Sequence, residues 1–214
     1  MDLNVQLMSE IRDQWSGEIY RACQASSVPP AFLAALVANE SGGKKDAKRF
    51  EPNVLADLWQ VLLGRKGTYG SIIRADLYLY ALPEALPQLS RSDPAIDAIF
   101  SAAFQRIDGL ATSWGLTQVM GYHVIERLST LQRAEDLTDP SNCLPYSVRL
   151  LANFAIEFGL SLASDFQQMF ACWNTGKPNG KTADPDYVSR GLARMRLYSQ
   201  LPPPDVLPLA ESIT

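Results

Sequence analysis

Glu40 is the residue whose type and position first suggest chemistry. It closes the stretch "FLAALVANESGG", where apolar residues recur at helical spacing. At 100° per residue, Phe32, Leu33, Leu36 and Val37 form a stripe centred about 70° round from Phe32. Glu40 falls about 80° round, inside that stripe. Half-burial there disfavours the charged form, so the position suits a carboxyl that holds its proton near neutral pH, which is what a general acid needs. A structural reading stands beside it: the stripe ends one turn earlier, Glu40 faces solvent or pairs with Lys44 or Arg49, and Gly42 and Gly43 simply stop the helix.

Two further stretches carry polar groups beside tight turns. In "ATSWGLTQVMGYH", residues 111 to 123, Gly115 lies between Trp114 and Gln118, and a helix is expected to start near Ser113. That pattern suggests a turn offering backbone and an amide to a groove. In "FACWNTGKPNGKTADPDYVSRGLARMRLY", residues 170 to 198, a helix ends at "WNTG", a Gly/Pro/Asn loop follows, and a second helix opens with Tyr187.

The elements that hold these residues read as helices. Apolar residues recur at three and four, strand-like alternation is nearly absent, and "SDPAIDAIF", "TDPSNCLPYSV" and "ADPDYVSRGL" each put a proline near a first helical turn. The expected helices run near 3–25, 30–40, 52–63, 71–82, 94–108, 119–134, 144–159, 163–173 and 185–199, an all-α fold. Residues 1–200 are taken as a single domain, and the proline-rich end, residues 201–214, as an extended arm that packs on the domain or tethers a partner.

Composition narrows the function. The chain has 214 residues, a net charge of −4 and 47% hydrophobic residues. The acidic balance argues against a nucleic-acid partner. The basic residues of "KKDAKR" and of Lys177, Lys181, Arg190, Arg194 and Arg196 read as solvated helix faces or as contacts for an anionic polymer. No apolar run is long enough for a membrane span. The N-terminus shows no secretion signal, so synthesis is expected in the cytoplasm. Cys23, Cys143 and Cys172 lack C-x-x-C spacing and read as small buried hydrophobes. His123 is the sole histidine. It cannot make a zinc site without other ligands, no recognisable serine elbow completes a triad, and no phosphate loop occurs; no metal or cofactor is expected.

Taken in order, "NESGG", "SWGLTQVMG" and "ACWNTG…DYVSRGLARMRLY" resemble the three signature blocks of the lysozyme-like superfamily, closest to soluble lytic transglycosylases, goose-type lysozymes and phage-type N-acetylmuramidases. The blocks span residues 30 to 200. "RFEPNVL" and the wording of the second block favour the muramidase side. By this resemblance Glu40 is the catalytic acid, Ser41 hydrogen-bonds near it, and Gly115, Leu116 and Gln118 form a substrate-groove turn. Asn174 lies beside the sugar, and the Tyr187 hydroxyl reaches the active centre. The chain departs from the pattern at Trp173, where tyrosine is usual, and at Thr175, where alanine is usual; Trp173 is still able to stack on a sugar face. The long segment 53–110 is expected to add helices that wall one side of a cleft, as a cap or as a binding wall. Its Trp59, Tyr69, Tyr78 and Tyr80 read as core ahead of sugar platforms.

The implied substrate is peptidoglycan, reached after lysis or by non-classical export. Glycosidic cleavage requires a proton for the leaving oxygen. Inverting hydrolysis also needs a carboxylate roughly 6.5–9.5 Å away and retaining hydrolysis one at about 5 Å. By resemblance, a lytic transglycosylase needs none. Glu51 is the candidate second carboxylate, with Asp46 and Asp57 behind it; an acid at a helix start is the structural alternative for Glu51. Eleven residues span at most roughly 36 Å, so spacing selects no mechanism. The readings that follow are muramidase, lytic transglycosylase, chitin- or chitosan-cleaving enzyme, or a wall-binding module without activity.

Overall fold

The computed structural model describes residues 2–81, 96–125 and 133–202, with the side chains of 96–100 left aside. The fold is predominantly helical, and the chain divides into two compact units: residues 1–45 with 140–214, and residues 46–139.

The first unit is built around a buried helix. Its elements are α1 (Leu3–Cys23) and α2 (Pro30–Glu40), followed later in the chain by α6 (Pro140–Phe158), α7 (Phe166–Thr175) and α8 (Tyr187–Gln200). Every side chain of α2 from Phe32 to Ala38 is buried. The helix is thus apolar on all sides, broader than the expected stripe, as befits a central helix. Pro30 starts it without cost, since a first-turn N–H has no intrahelical partner. Phe32 meets Phe170 at 4.5 Å and Phe166 at 5.7 Å between ring centroids, which ties α2 to α7. Cys23, Cys143 and Cys172 are free and buried, as expected of small hydrophobes.

The second unit contains the short strands. In chain order it holds β1 (Lys48–Phe50), α3 (Pro52–Leu62), β2 (Thr68–Tyr69), β3 (Ile72–Ile73), α4 (Arg74–Ala81), α5 (Ile96–Leu110), β4 (Thr112–Trp114) and β5 (Val119–Met120). Two 3-10 turns follow, Gly121–Ile125 and Ala134–Thr138. Strands β1, β4 and β5 form an antiparallel sheet in which Lys48 faces Trp114 and Trp114 faces Val119; β2 and β3 form a separate hairpin. Leu58, Val61, Leu77, Ile107, Leu110, Leu116 and Leu137 are among the fully buried apolar residues of this unit.

Three expectations need correction. No helix starts at 119: Gly115 and Gln118 have φ of 76° and 55°, which reverses the chain into a β4–β5 hairpin, and Ser113 lies in a strand. The helix expected from 71 starts at Arg74, after the β2–β3 hairpin. The helix expected from 144 begins at Pro140 and carries Pro145 inside it. Its first turn has orphan N–H groups in any case, so a proline one turn further in costs one ladder bond and does not end the helix. The proline of "SDPAIDAIF" and the arm from residue 203 lie outside the described residues.

Candidate functional site

Glu40 is the last residue of α2, half-buried, and the Tyr187 hydroxyl donates a hydrogen bond to its Oε1. Residues 147 apart in sequence are thereby joined, and Glu40 is not simply a solvent-facing helix end. Tyr187 is 5% exposed at the first turn of α8. Burial first, then the Glu40 carboxylate, pushes its phenol far above the ordinary range, so the hydroxyl stays protonated and acts as donor. A donated bond favours the charged form of a carboxylate, which opposes the effect of half-burial read from the sequence.

The pair is held by groups that the helical pattern alone does not single out. Asn39 Nδ2 donates to the Tyr187 carbonyl at 2.9 Å. Arg194 Nη1 donates to the Ala38 carbonyl at 3.0 Å and to Asn39 Oδ1 at 2.9 Å, while its Nε donates to Asn4 Oδ1 at 3.0 Å. A cation is thus placed on the carbonyl end of α2, where the helix dipole favours it. Arg194 is half-buried, a correction to its reading as part of a solvated face or polymer contact. Gly191 makes the approach of α8 possible: a Cβ there would lie 2.8 Å from the Phe170 ring and 3.0 Å from Asn39 Nδ2. The remaining basic residues are not uniformly free, since Arg190 pairs with Asp184 at 2.6 Å.

Ser41 caps α2. Its hydroxyl donates to the Val37 carbonyl at 3.2 Å and accepts from the Gly43 N–H at 3.2 Å. Gly42 and Gly43 turn with φ of 61° and 82°, and the Trp15 indole donates to the Gly43 carbonyl at 2.9 Å, fixing the exit of the chain. At the other block of this unit, Trp173 is half-buried and Asn174 is exposed at the end of α7. Thr175, a departure from the family pattern, staples the following loop: it donates to the Ala171 carbonyl at 2.8 Å and accepts from the Lys177 N–H at 3.2 Å.

The second unit holds the remaining candidates. Gly115 donates its N–H to the Ala47 carbonyl at 2.9 Å, Leu116 is fully buried, and Gln118 sits in left-handed backbone, a costly conformation for a residue with a Cβ. The Gln118 amide is engaged with this turn. Its Nε2 donates to the Ala47 carbonyl at 2.9 Å and the Gly115 carbonyl at 3.0 Å, and its Oε1 accepts from Ser113 at 2.9 Å. Gln118 therefore locks the hairpin that the second signature block encodes.

Glu51 is half-buried at the N-cap of α3 and makes no side-chain cap bond; its Oε1 accepts from Arg49 Nε at 2.6 Å. Asp57 pairs with Lys66 at 2.9 Å, and Asp46 is exposed. The aromatics of the 53–110 segment are not the core expected of them: Trp59, Tyr69 and Tyr80 are half-buried and Tyr78 is exposed, each with a partner inside the second unit. Trp59 lies 5.0 Å from Phe104, Tyr78 accepts from Arg74 at 3.1 Å, and the Tyr80 hydroxyl accepts from the Ala134 N–H at 3.1 Å. Tyr69 meets Tyr122 edge to face at 5.3 Å, and His123 lies 4.4 Å from Tyr122.

A solved structure of a phage endolysin, from the Burkholderia phage AP3, superposes with a TM-score of 0.51 at 20% identity, covering 87% of this chain and 71% of the endolysin. The fold is lysozyme-like. That is the fold the three signature blocks imply, and at this identity the likeness speaks for the fold. No family model and no curated protein matches the sequence. Among the described residues no helix is long and apolar enough to cross a membrane, and no group of three or more His, Cys, Asp or Glu side chains is arranged to hold a metal ion.

Proposed function

We propose that the chain is a peptidoglycan-cleaving glycosidase of the muramidase type, cutting the β-1,4 bond from N-acetylmuramic acid to N-acetylglucosamine with Glu40 as general acid. The observation that carries the reading is the half-buried Glu40 at the end of a buried helix, bonded by the protonated Tyr187 hydroxyl. The phage endolysin neighbour supports a wall-cleaving role, and the order of the three signature blocks supports the muramidase reading.

In this mechanism Glu40 delivers its proton to the leaving glycosidic oxygen as an oxocarbenium-like centre develops. Tyr187 orients the carboxyl and stabilises it once the proton has left. Ser41 fixes the helix end. Trp173 and Asn174 contact the glycan, with Gly115, Leu116 and Gln118 shaping a groove turn. Glu51 is assigned the second carboxylate role, activating water or meeting the sugar centre. Residues 1–200 act as the catalytic domain.

A second reading, lytic transglycosylation, has one observation in its favour: Arg49 occupies a Glu51 carboxylate oxygen at 2.6 Å, and anhydro-forming cleavage needs no second carboxylate. Digestion of purified cell walls followed by mass spectrometry of the products separates the two. Reducing ends support hydrolysis; anhydro ends give the chain to the transglycosylases; release from chitosan but not from walls assigns a different glycan. Wall binding without release by the native chain would refute both enzymatic readings.

A further inference from the structure

Arg194 carries a charge that no acid answers. It is half-buried on α8 and makes no ion pair among the described residues. Its guanidinium donates instead to three neutral oxygens: Asn4 Oδ1 at 3.0 Å, the Ala38 carbonyl at 3.0 Å and Asn39 Oδ1 at 2.9 Å. Taking a cation partly out of water without a counter-charge is unfavourable. The dipole of α2 offsets some of this, but any cation at the last turn would satisfy it. The dipole does not require the fork, in which Nη1 reaches two oxygens on α2 while Nε reaches a third on α1.

Asn39 links that fork to the Glu40–Tyr187 pair. Its amide has one accepting and one donating end. Arg194 only donates and so takes Oδ1, while the Tyr187 carbonyl only accepts and so takes Nδ2, at 2.9 Å. The two neighbours thus demand the same orientation of the amide. The carbonyl does not need this bond for the helix, since a regular helical ladder gives it the N–H four residues on, at Gly191. The Asn39 bond is a second one on the same oxygen, and Gly191 leaves room for it, because a Cβ there would stand 3.0 Å from Nδ2. Its consequence is to fix the first turn of α8 against the end of α2, and that turn carries the phenol that donates to Glu40. Ala38 and Asn39 are the two residues before Glu40, so one guanidinium holds the approach to both members of the pair.

We propose that Arg194 is a positioning residue for the Glu40–Tyr187 pair: its guanidinium orients the Asn39 amide, and that amide holds the Tyr187 backbone so that the phenol meets the acid. The proposal rests on the reading of Glu40 as general acid. Misplacing a group at the reacting centre by about 1 Å costs on the order of 100-fold in rate, so a residue that never touches the glycan still governs kcat.

Two variants separate positioning from plain structural support. Arg194→Lys keeps the cation that the helix end favours and loses the fork. Asn39→Asp gives Arg194 a carboxylate in place of the amide oxygen, so the fold keeps its cross-helix contact, while the Tyr187 carbonyl loses its donor. Steady-state kinetics on soluble peptidoglycan strands, with kcat taken at the plateau of each pH–rate profile, should show kcat lower by about 10- to 100-fold in both variants. KM should stay within about twofold, since no glycan contact is removed, and Tm should stay close to that of the native chain. NMR of tyrosine labelled at Cζ, with the Tyr187 signal assigned from Tyr187→Phe, reads the contact without any turnover; in Arg194→Lys the signal should move toward its position in Glu40→Ala. Full kcat in either variant, a loss carried by KM alone, unfolding of Asn39→Asp or an unmoved Tyr187 signal would overturn the proposal. A native chain that cleaves no strands would instead remove the general-acid reading, and the NMR comparison would still decide whether Arg194 sets the Tyr187 contact.

Discussion

Gly191→Ala is the perturbation whose outcome the geometry fixes most tightly. The new Cβ would stand 2.8 Å from two carbons of the Phe170 ring and 3.0 Å from Asn39 Nδ2. Phe170 is fully buried against Phe32 and Tyr187, so its ring has nowhere to withdraw. Overpacking of this kind costs about 1–3 kcal/mol, against which alanine gains about 0.5–1 kcal/mol over glycine in a helix interior. The internal control is Gly17→Ala in α1, where a Cβ meets nothing within 4 Å and only the helix gain remains. The two variants should therefore move in opposite directions, differing by about 1–3 kcal/mol, which at this chain length is several degrees at about 2–4 °C per kcal/mol. Thermal and denaturant unfolding read the stability, and wall clearing reads the site. Asn39 is the neighbour that must yield, and it holds the Tyr187 backbone, so Gly191→Ala should also slow clearing while Gly17→Ala leaves it unchanged. If Gly191→Ala stabilises as much as Gly17→Ala, the close approach of α8 to α2 and α7 is wrong.

Four other outcomes follow from the same structure. Glu40→Gln should cut wall clearing by roughly 10²–10⁴, the usual worth of a general acid, while keeping Tm and wall binding; unchanged clearing ends the assignment. Tyr187→Phe removes a donor that favours the charged carboxyl, so the residual activity should persist to higher pH than in the native chain, and a pH–rate profile whose alkaline limb stays put or moves down contradicts the pairing. Gln118→Gly relieves the left-handed backbone while losing the amide bonds, whereas Gln118→Ala loses the bonds and keeps the strain, so alanine should be the worse by about 1 kcal/mol in denaturant unfolding; the reverse order would remove the strain argument. Burial raises the Cys23 thiol from 9.0 to about 12 and the Cys172 thiol from 9.0 to about 11. Their contribution to stability is complete below pH 9 and is lost as pH rises through 11 and 12, because the unfolded thiols ionise first. A Cys23→Ala, Cys172→Ala chain should show a flatter fall in Tm between pH 9 and 11, and an equally steep fall would refute the assignment to these thiols.

Much of the helical layout was legible because its signals are local. Pro30 and Pro52 at first helical positions, and the glycines after Glu40, mark boundaries that the structure keeps. The expected helix from 119 failed for a reason periodicity does not encode. Met120 and Val124 are spaced as on a helix face, but the chain reaches them from a hairpin whose reversal depends on Gln118, a residue rarely found at positive φ. Its stabilisation comes from the Ala47 carbonyl, 71 residues away. The strands are likewise two or three residues long, too short to display alternation.

At the candidate site the residue types were legible and the contacts were not. Glu40 at the end of an apolar run could be read as acid or as solvent-facing cap, and the hydroxyl that bears on the choice comes from Tyr187 on another helix. The supporting residues are harder still to find. Asn39 looks like ordinary helix polarity, Gly191 like a helix flaw and Arg194 like one more surface cation. Yet Gly191 admits α8 to its place, and Arg194 and Asn39 bond that helix to the end of α2. A glycine within an otherwise helical pattern, "VSRGLARM", is the one signal that could have pointed there, since a helix tolerates the entropic cost of glycine where two backbones or a backbone and a ring must meet closely. What positions Glu40 is thus a cross-helix arrangement: a missing side chain on α8 lets Asn39 and Arg194 set the tyrosine against the acid.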